Sequence, residues 1–339
     1  MKKVLVIKLR GIGDAVLALP AIKALKQSHA QAQVTVIMPP PALQVLEHSP
    51  DVNRRVAWKQ GREIPIGLGL RGERFDCLVN FHASPRSAFL GYLSGARRRV
   101  IHDHSGRPWF GSVRVPDATV RKSAIERDLD AVRALNLPVL LTSRPEITLE
   151  GGEKEWARQF LEENGVKAKA PVTVAIGASN PSKRWPEDRF GHMCKRISER
   201  GTPVILLTQQ TDSILLPRFF AECPQERILH LQDFPLRKVM ALLWASRFYI
   251  GNDSGIKHLA CALGTPTLTL FGPEDVEEWH PYRREDGHEV IQKNVACRGR
   301  GCGLVACEPL TCLREITVEE VMEKAQTMLA SIPRADESP

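Results

Sequence analysis

Long hydrophobic runs are missing from this chain. Among its 339 residues no stretch approaches the roughly 18 consecutive apolar residues that a membrane-spanning helix needs. The start, Met1-Lys2-Lys3 and then Val4-Leu5-Val6-Ile7, has the beginnings of a secretory signal, but Lys8, Arg10 and Asp14 interrupt it. Secretion is therefore rejected and a cytoplasmic location is expected. Aromatic residues make up only 6% and are not interleaved with the basic clusters Arg54-Arg55, Arg97-Arg98-Arg99 and Arg121-Lys122. Without that interleaving, and without a helix-turn-helix or RNA-binding signature, nucleic acid is not the expected partner. No repeat of solenoid period is present. Four of the eight cysteines, Cys297, Cys302, Cys307 and Cys312, recur as C-x4-C-x4-C-x4-C, which is not the paired C-x2-C pattern of common zinc sites. Reduced thiols in an ordered loop and a structural metal site both remain open readings of that cluster.

What is present describes a globular α/β protein. The length suits two domains of ordinary size. Apolar residues at 43% and charged residues at 25% are usual for a soluble fold. Charge is unevenly placed: residues 1–150 hold 23 Lys and Arg against 13 Asp and Glu, and residues 151–339 hold 24 against 26. A basic first half suits an acidic partner such as anionic lipid or a phosphorylated substrate, or is simply a solvated surface.

Short apolar runs alternate with amphipathic segments, the pattern of parallel sheets wrapped by helices. Strands are expected at 4–9, 34–38 and 75–81, with weak signals near Val100 and at 113–115, and helices at 15–28 and 125–135. A segment with Pro145, Gly151-Gly152, a charged helix at about 153–164 and Gly165 reads as the inter-domain region. A second alternation follows. Its strands are 172–176, 203–208, 228–231, 248–250 and 267–271, and its helices 186–199, 212–222, 235–245 and 259–263. A last helix at 317–329 begins with Thr317 and has Glu320 three residues on, a capping box. The expected division is a first domain at 1–150, a linker at 151–170, a second domain at 171–332 and a tail at 333–339.

Ligands of doubly wound α/β folds sit beyond the carboxyl ends of the strands, and three motifs fall at such ends. Lys8-Leu9-Arg10-Gly11-Ile12-Gly13-Asp14 lacks the third glycine of the dinucleotide fingerprint and the Gly-Lys-Ser/Thr ending of a P-loop. Gly11 and Gly13 permit a tight turn and close approach of backbone to a ligand. Asp14 is a carboxylate at a helix start, where the dipole favours its ionised form. It can serve as a general base for a hydroxyl nucleophile or only as an N-cap. The loop 177–186, Gly-Ala-Ser-Asn-Pro-Ser-Lys-Arg-Trp-Pro, places Lys183 and Arg184 beside hydroxyl and amide donors, a set that fits a diphosphate or a solvated basic loop. Residues 251–258, Gly-Asn-Asp-Ser-Gly-Ile-Lys-His, open a helix after a strand and end before Gly264 stops it. Such a helix start is a ready anion site, and Asp253 and Ser254 are suited to cap it. Nothing in the pattern assigns Lys257 a role, and it is expected to face solvent.

Together these motifs resemble one family. Val-Ile-Lys-Leu-Arg-Gly-Ile-Gly-Asp (6–14), Leu-Pro-Ala-Ile-Lys-Ala-Leu (19–25), Lys-Arg-Trp-Pro-Glu-Asp-Arg-Phe (183–190), Gly-Asn-Asp-Ser-Gly-Ile-Lys-His-Leu-Ala (251–260) and Thr-Leu-Phe-Gly-Pro (269–273) are similar to glycosyltransferase family 9, the heptosyltransferases of lipopolysaccharide core synthesis. The resemblance implies a GT-B architecture of two Rossmann-like domains facing a cleft, acceptor at the first and donor in the second. It implies inverting transfer of heptose from ADP-heptose to a hydroxyl of the inner core, with no cofactor and no metal. On this reading Asp14 is the general base, Lys183 contacts the donor diphosphate and Ser179 lies beside it. Asp253 reaches the donor sugar, and Ser254, Gly255 and His258 hold the diphosphate at the helix start.

The chain departs from the family at Thr208-Gln209-Gln210-Thr211-Asp212, where a Gly-Gly-x-x-Glu type segment is usual. Asp212 then stands where a ribose contact is expected, and Phe234 where an apolar residue would pack against the base. The acceptor implied is a phosphorylated lipid A–core, so Arg54, Arg55, Arg97, Arg98 and Arg99 would attract it and the anionic inner membrane, at up to ~1 kcal/mol per residue near the surface. Three alternatives stay open. One is a related transferase with another nucleotide sugar or an O-antigen or capsule acceptor. The others are a GT-B-fold epimerase and a catalytically silent sugar-nucleotide binder.

Overall fold

The computed structural model describes residues 1–82, 84–103, 110–116, 121–137, 139, 144–166, 171–297, 302, 305 and 307–331. The expected tail at 333–339 and part of the cysteine loop, 298–301, lie outside the described residues. The chain forms two compact units, Met1–Thr148 with Glu277–Pro281, and Leu149–Val276 with Tyr282–Pro339.

In the first unit the order is β1 (Lys3–Ile7), α1 (Ile12–Ser28), β2 (Gln33–Met38), α2 (Pro40–Val45), β3 (Arg54–Ala57), α3 (Glu63–Arg71), β4 (Cys77–Asn80), α4 (Pro85–Leu93), β5 (Arg98–His102), β6 (Val113–Val115) and α5 (Ala124–Arg133). Val4, Leu5, Val6 and Ile7 are wholly buried, because β1 is central and covered on both faces. Each such side chain contributes roughly 1.5–3 kcal/mol through burial. β1 ends before Lys8, two residues earlier than the apolar pattern suggested, and the Lys8 side chain pairs with Asp128. α1 is apolar all round, with Ala15 to Ile22 buried, and packs against α5. Pro39-Pro40-Pro41 ends β2 as expected and also starts α2, with proline in its first turn.

In the second unit the order is α6 (Gly151–Glu163), β7 (Val172–Ala175), α7 (Glu187–Glu199), β8 (Val204–Thr208), α8 (Leu216–Glu222), β9 (Leu229–Gln232), α9 (Leu236–Trp244), β10 (Phe248–Asn252), α10 (Gly255–Ala262), β11 (Thr267–Phe271) and β12 (His288–Gln292). A final helix, Val318–Ser331, follows, with the Glu320 N–H donating to Thr317 Oγ1 at 3.2 Å as the capping box requires. The residues expected in the linker include α6, which packs on α9. The helix expected from Asp212 is divided into a 3-10 turn, Gln210–Leu215, and α8, where Pro217 fits the first turn but not a helix interior. The core of this unit gathers Val172, Val174, Trp185, Phe190, Phe219, Phe248 and Leu268.

Among the described residues each unit carries one six-stranded sheet, ordered β3-β2-β1-β4-β5-β6 and β12-β11-β10-β7-β8-β9, and every printed pairing is parallel. Read from the third strand of each unit, both follow the order 3-2-1-4-5-6 of the doubly wound nucleotide-binding fold. The strand order reverses between β1 and β4 and between β7 and β10, which pair directly. At such a switch point the loops from two neighbouring strands leave in opposite directions and open a crevice. The three motifs leave from β1, β7 and β10, so each stands at a switch point.

Candidate functional site: the carboxyl ends of the central strands

In the second unit the loop after β7 is fixed from within. Asn252, wholly buried at the end of β10, accepts the Trp185 N–H at 2.9 Å on Oδ1 and donates through Nδ2 to Ile176 O at 2.7 Å. Trp185 is buried and donates its indole N–H to Ile316 O at 3.0 Å. Arg184 forks onto Ala178 O through Nε at 3.0 Å and Nη2 at 2.8 Å. Arg184 was expected beside a diphosphate; here its guanidinium closes the loop. Backbone is crowded at this end of the sheet: a Cβ on Gly177 would stand 2.4 Å from Asp212 Oδ2, and one on Gly251 2.8 Å from Ala175 O. At Gly251, where the near oxygen is backbone, a side chain would force the two strands apart.

Lys183 emerges from this loop onto two carboxylates. Its Nζ lies 3.1 Å from Asp253 Oδ2 and 3.1 Å from Glu274 Oε1. The other oxygen of Asp253, Oδ1, accepts from Lys257 Nζ at 2.6 Å. Lys257 was expected to face solvent; it is wholly buried instead, with its ammonium 4.7 Å from the centre of the Phe271 ring. The i,i+4 spacing on the first turn of α10 turns it inward onto Asp253. Breaking such a buried pair by removing one partner costs on the order of 3–5 kcal/mol. Burial works to raise the Asp253 carboxyl, but the charges of Lys257, Lys183 and His258 outweigh it and hold it well below the usual carboxylate range. Burial likewise works to lower Lys183, and Asp253 and Glu274 outweigh it, so its proton is held more tightly than usual. For Lys257 burial wins and the direction is down, yet an ionised Asp253 at 2.6 Å keeps the ammonium form.

α10 opens with Ser254 at its N-cap, in extended backbone, but the serine side chain makes no capping hydrogen bond. Its Oγ is buried beside the Tyr249 hydroxyl. The first-turn N–H groups from Gly255 onward are therefore uncapped by this side chain, the condition for anion binding at a helix start. His258, buried on the same helix, meets Tyr282 Oη through Nδ1 at 2.6 Å. Ser179 is exposed in the loop after β7.

The two low-lying expectations are placed differently. Asp212 is buried, and its Oδ2 accepts the Gln209 N–H at 2.9 Å, closing the 3-10 turn. Phe234 is half-buried and packs on α6, with ring centroids 5.5 Å from Phe160 and 6.1 Å from Trp156. Cys297 and Cys302 are exposed, Cys307 is half-buried and Cys312 is buried, all with free thiols. Among the described residues no three His, Cys, Asp or Glu side chains gather as a metal site would.

In the first unit α1 begins at Ile12 with Gly11 as its N-cap, so Asp14 sits in the first turn and is not the cap. Asp14 is half-buried, Gly11 is exposed and Gly13 half-buried. Space around Gly11 is open, with nothing within 4 Å of where a Cβ would stand. Behind the loop, Lys8 Nζ pairs with Asp128 of α5 at 2.8 Å and 3.0 Å and reaches Phe81 O, beyond β4, at 3.4 Å. Lys8 thus ties the two sides of the switch point to α5. Burial raises Asp128 to about 6 against the opposing charge of Lys8, and the charge of Asp14 adds to the rise. His82, in the loop after β4, is lowered to about 4 by burial and then by Arg10 and Lys8, which leaves it neutral at pH 7. Sequence reasoning missed Lys8, Asp128 and His82 as partners, because their neighbourhood is set by strand order.

The basic clusters are partly used by the fold. Arg54 pairs with Glu73 at 2.6 Å, Arg55 donates to Leu46 O at 2.7 Å, and Arg99 donates to Phe110 O and Ala96 O, both at 2.8 Å. Arg97 and Arg98 are exposed. Among the described residues no helix is long and apolar enough to cross a membrane.

The family model described as glycosyltransferase family 9 (heptosyltransferase) matches residues 66–305. The chain belongs to glycosyltransferase family 9. It is 25% identical to lipopolysaccharide heptosyltransferase 2 of Escherichia coli K12 over 354 aligned positions, which cover 95% of this chain and all of the relative. The structure of the E. coli ADP-heptose lipopolysaccharide heptosyltransferase II superposes with a TM-score of 0.82 at 23% identity, covering 97% of this chain and 99% of that one. An E. coli heptosyltransferase solved with ADP-2-deoxy-2-fluoro heptose superposes with a TM-score of 0.73 at 17% identity, covering 96% and 99%. The fold of this family-9 member is thus that of the GT-B heptosyltransferases over nearly its whole length.

Proposed function

We propose that this family-9 glycosyltransferase transfers heptose from ADP-heptose to a hydroxyl of the lipopolysaccharide inner core with inversion at the anomeric carbon. The observation that carries the reading is the placement of Lys183 at the start of α10, on Asp253, at the switch point of the second sheet. A diphosphate placed there meets the Lys183 ammonium, the uncapped N–H groups of α10, and the His258 side chain. That is the charge complement a departing nucleoside diphosphate needs as the transition state forms. Relatives named for ADP-heptose transfer support the choice of donor.

The reaction balances with the groups present. The acceptor oxygen attacks the anomeric carbon, the bond from that carbon to the phosphate oxygen breaks, and ADP leaves. The acceptor proton passes to the Asp14 carboxylate in the first turn of α1. The proposal assigns acceptor binding to the first unit and donor binding to the second. It assigns the charge of the leaving group to Lys183 and α10 rather than to a divalent cation. The phosphorylated lipid acceptor places the chain on the cytoplasmic face of the inner membrane as a peripheral protein, with Arg97 and Arg98 available for anionic headgroups.

Donor choice is tested by thermal shift with a panel of nucleotides. ADP and ADP-heptose are expected to raise the melting temperature, by the mass action of a ligand that binds only the folded state. A rise with UDP- or GDP-linked sugars and none with ADP-linked ones would overturn the donor assignment.

A further inference from the structure

Asp253 is the hub of a buried charge network that the family reading leaves unexplained. Lys257 holds Oδ1 at 2.6 Å, and Lys183 holds Oδ2 at 3.1 Å while also contacting Glu274 at 3.1 Å. Two ammonium groups and two carboxylates make the network neutral overall. The two lysines differ in what they are free to do. Lys257 is wholly buried on a helix and fixed by Phe271 and Asp253, so it has no route to a ligand. Lys183 is on a loop, keeps 15% of its side chain exposed, and faces the helix start.

If Lys183 turns to a diphosphate, it leaves Asp253 and Glu274 behind. A carboxylate 95% buried that lost its only cation would strongly oppose that move. With Lys257 in place Asp253 never stands uncompensated. We infer that Lys257 is a positioning residue: it is the permanent counter-ion of Asp253, and it frees Lys183 to exchange from Asp253 and Glu274 onto the donor diphosphate. The inference rests on the proposal that this site holds a nucleoside diphosphate. Lys257 touches no substrate and acts through Asp253.

A distinctive pH signature follows. In the native protein Lys257, Lys183 and His258 keep Asp253 ionised far below neutral pH, so nucleotide binding draws no proton onto it. In Lys257→Met, burial of Asp253 is opposed by Lys183 and His258, and binding removes Lys183. The carboxyl then takes up a proton as nucleotide binds, and affinity rises as pH falls. The charged and titratable groups around Asp253 are Lys257, His258 and Cys261 on its own helix, Lys183 and Glu274 on the neighbouring loops, and Tyr249 and Tyr282. An imidazole changes charge in the same range. His258 is common to all variants, so the readout is the difference between them.

The experiment measures ADP binding by calorimetry from about pH 5.5 to about pH 8 for the native chain, Lys257→Met, Lys257→Arg and the double variant Asp253→Asn/Lys257→Met. At about pH 8 Lys257→Met is expected to bind roughly tenfold more weakly than the native chain, an ordinary size for coupling between groups. It is expected to recover most of that loss at about pH 5.5, with proton uptake on binding. Lys257→Arg is expected to keep the native pH profile, and the double variant to lose the extra slope. A loss in Lys257→Met that is equal at every pH would overturn the inference and mark Lys257 as structural only. If the native chain binds no ADP, the reading of the site fails first. If Lys257→Met does not fold, Asp253→Asn is compared with the double variant. Equal affinities support action through Asp253 alone, and a further tenfold loss contradicts it.

Discussion

Lys183 Nζ stands 3.1 Å from Asp253 Oδ2 although 70 residues separate the two in the chain. The contact is a product of strand order. β7 and β10 are neighbours in the sheet, and the loops leaving their carboxyl ends face each other. Asn252, at the end of β10, pins the loop after β7 at both of its ends, Ile176 and Trp185. The cation that meets the donor in the proposed reaction is therefore held by the same carboxylate that opens the helix receiving it.

Removing that cation tests the arrangement. Lys183→Ala is expected to lower kcat/KM by about 10²–10³, the range seen when one stabilising donor for a developing negative charge is lost. Donor affinity is expected to fall as well, because in the proposed reaction Lys183 meets the diphosphate before and during departure. Steady-state kinetics with varied donor separates the two effects.

Metal removal probes the assignment of leaving-group charge to Lys183 and α10. Initial rates after exhaustive chelation are expected to stay within about twofold of the untreated enzyme. A rate that collapses with chelator and returns with Mg²⁺ would move that charge onto a cation.

Asp128 gives a pH dependence with a definite sign. Burial raises its folded-state pKa to about 6, above the ordinary carboxylate value of 3.8. A group raised in the folded state contributes its stability below the unfolded value and loses it as pH rises through the folded one. Asp128→Asn removes that titration. The melting temperature of Asp128→Asn relative to the native chain is expected to climb from about pH 4 to about pH 6 and then level off. A constant difference across that window would contradict the buried, proton-binding state of Asp128.

The thiols divide by burial. Burial pushes Cys77 up to about 12 and Cys194 well above its ordinary value, so neither is a nucleophile at neutral pH. Cys297 and Cys302 are exposed. Brief alkylation of the native chain, read by peptide mass mapping, is expected to label Cys297 and Cys302 and to spare Cys77, Cys194 and Cys261. Protection of all four loop cysteines, reversed by a chelator, would instead indicate a bound metal.

The central strands were legible in the sequence because they are buried on both faces and read as continuous apolar runs, as in Val4-Leu5-Val6-Ile7 and Val172-Thr173-Val174-Ala175. Two of the edge strands, β3 and β12, were not. β3 is Arg-Arg-Val-Ala and β12 is His-Glu-Val-Ile-Gln, and a strand covered on one side only needs no such run. α3, with Pro65, Gly67 and Gly69, lacks helix propensity and is held by packing against α4, where a Cβ on Gly67 would stand 2.5 Å from Leu93 Cβ. Among the candidate site residues, Asp14, Lys183 and Asp253 stand out in the sequence because each sits in a polar motif directly after a strand. Glu274, Asn252 and Asp128 were not, because their partners are chosen by sheet order. Lys257 had a signal in its i,i+4 spacing from Asp253, but spacing alone does not say which face of a helix is buried.

The most direct test of the account is a transfer assay with ADP-heptose and an inner-core acceptor lacking its heptose, run with the native chain and with Asp14→Ala. The product is read by mass and by the anomeric configuration of the new linkage, and donor binding is measured on the same preparations. The account predicts one heptose added with inverted configuration and one ADP released per turnover. It predicts a fall in kcat of about 10²–10⁴ in Asp14→Ala with donor affinity little changed. Retained configuration, or full transfer by Asp14→Ala, would contradict it.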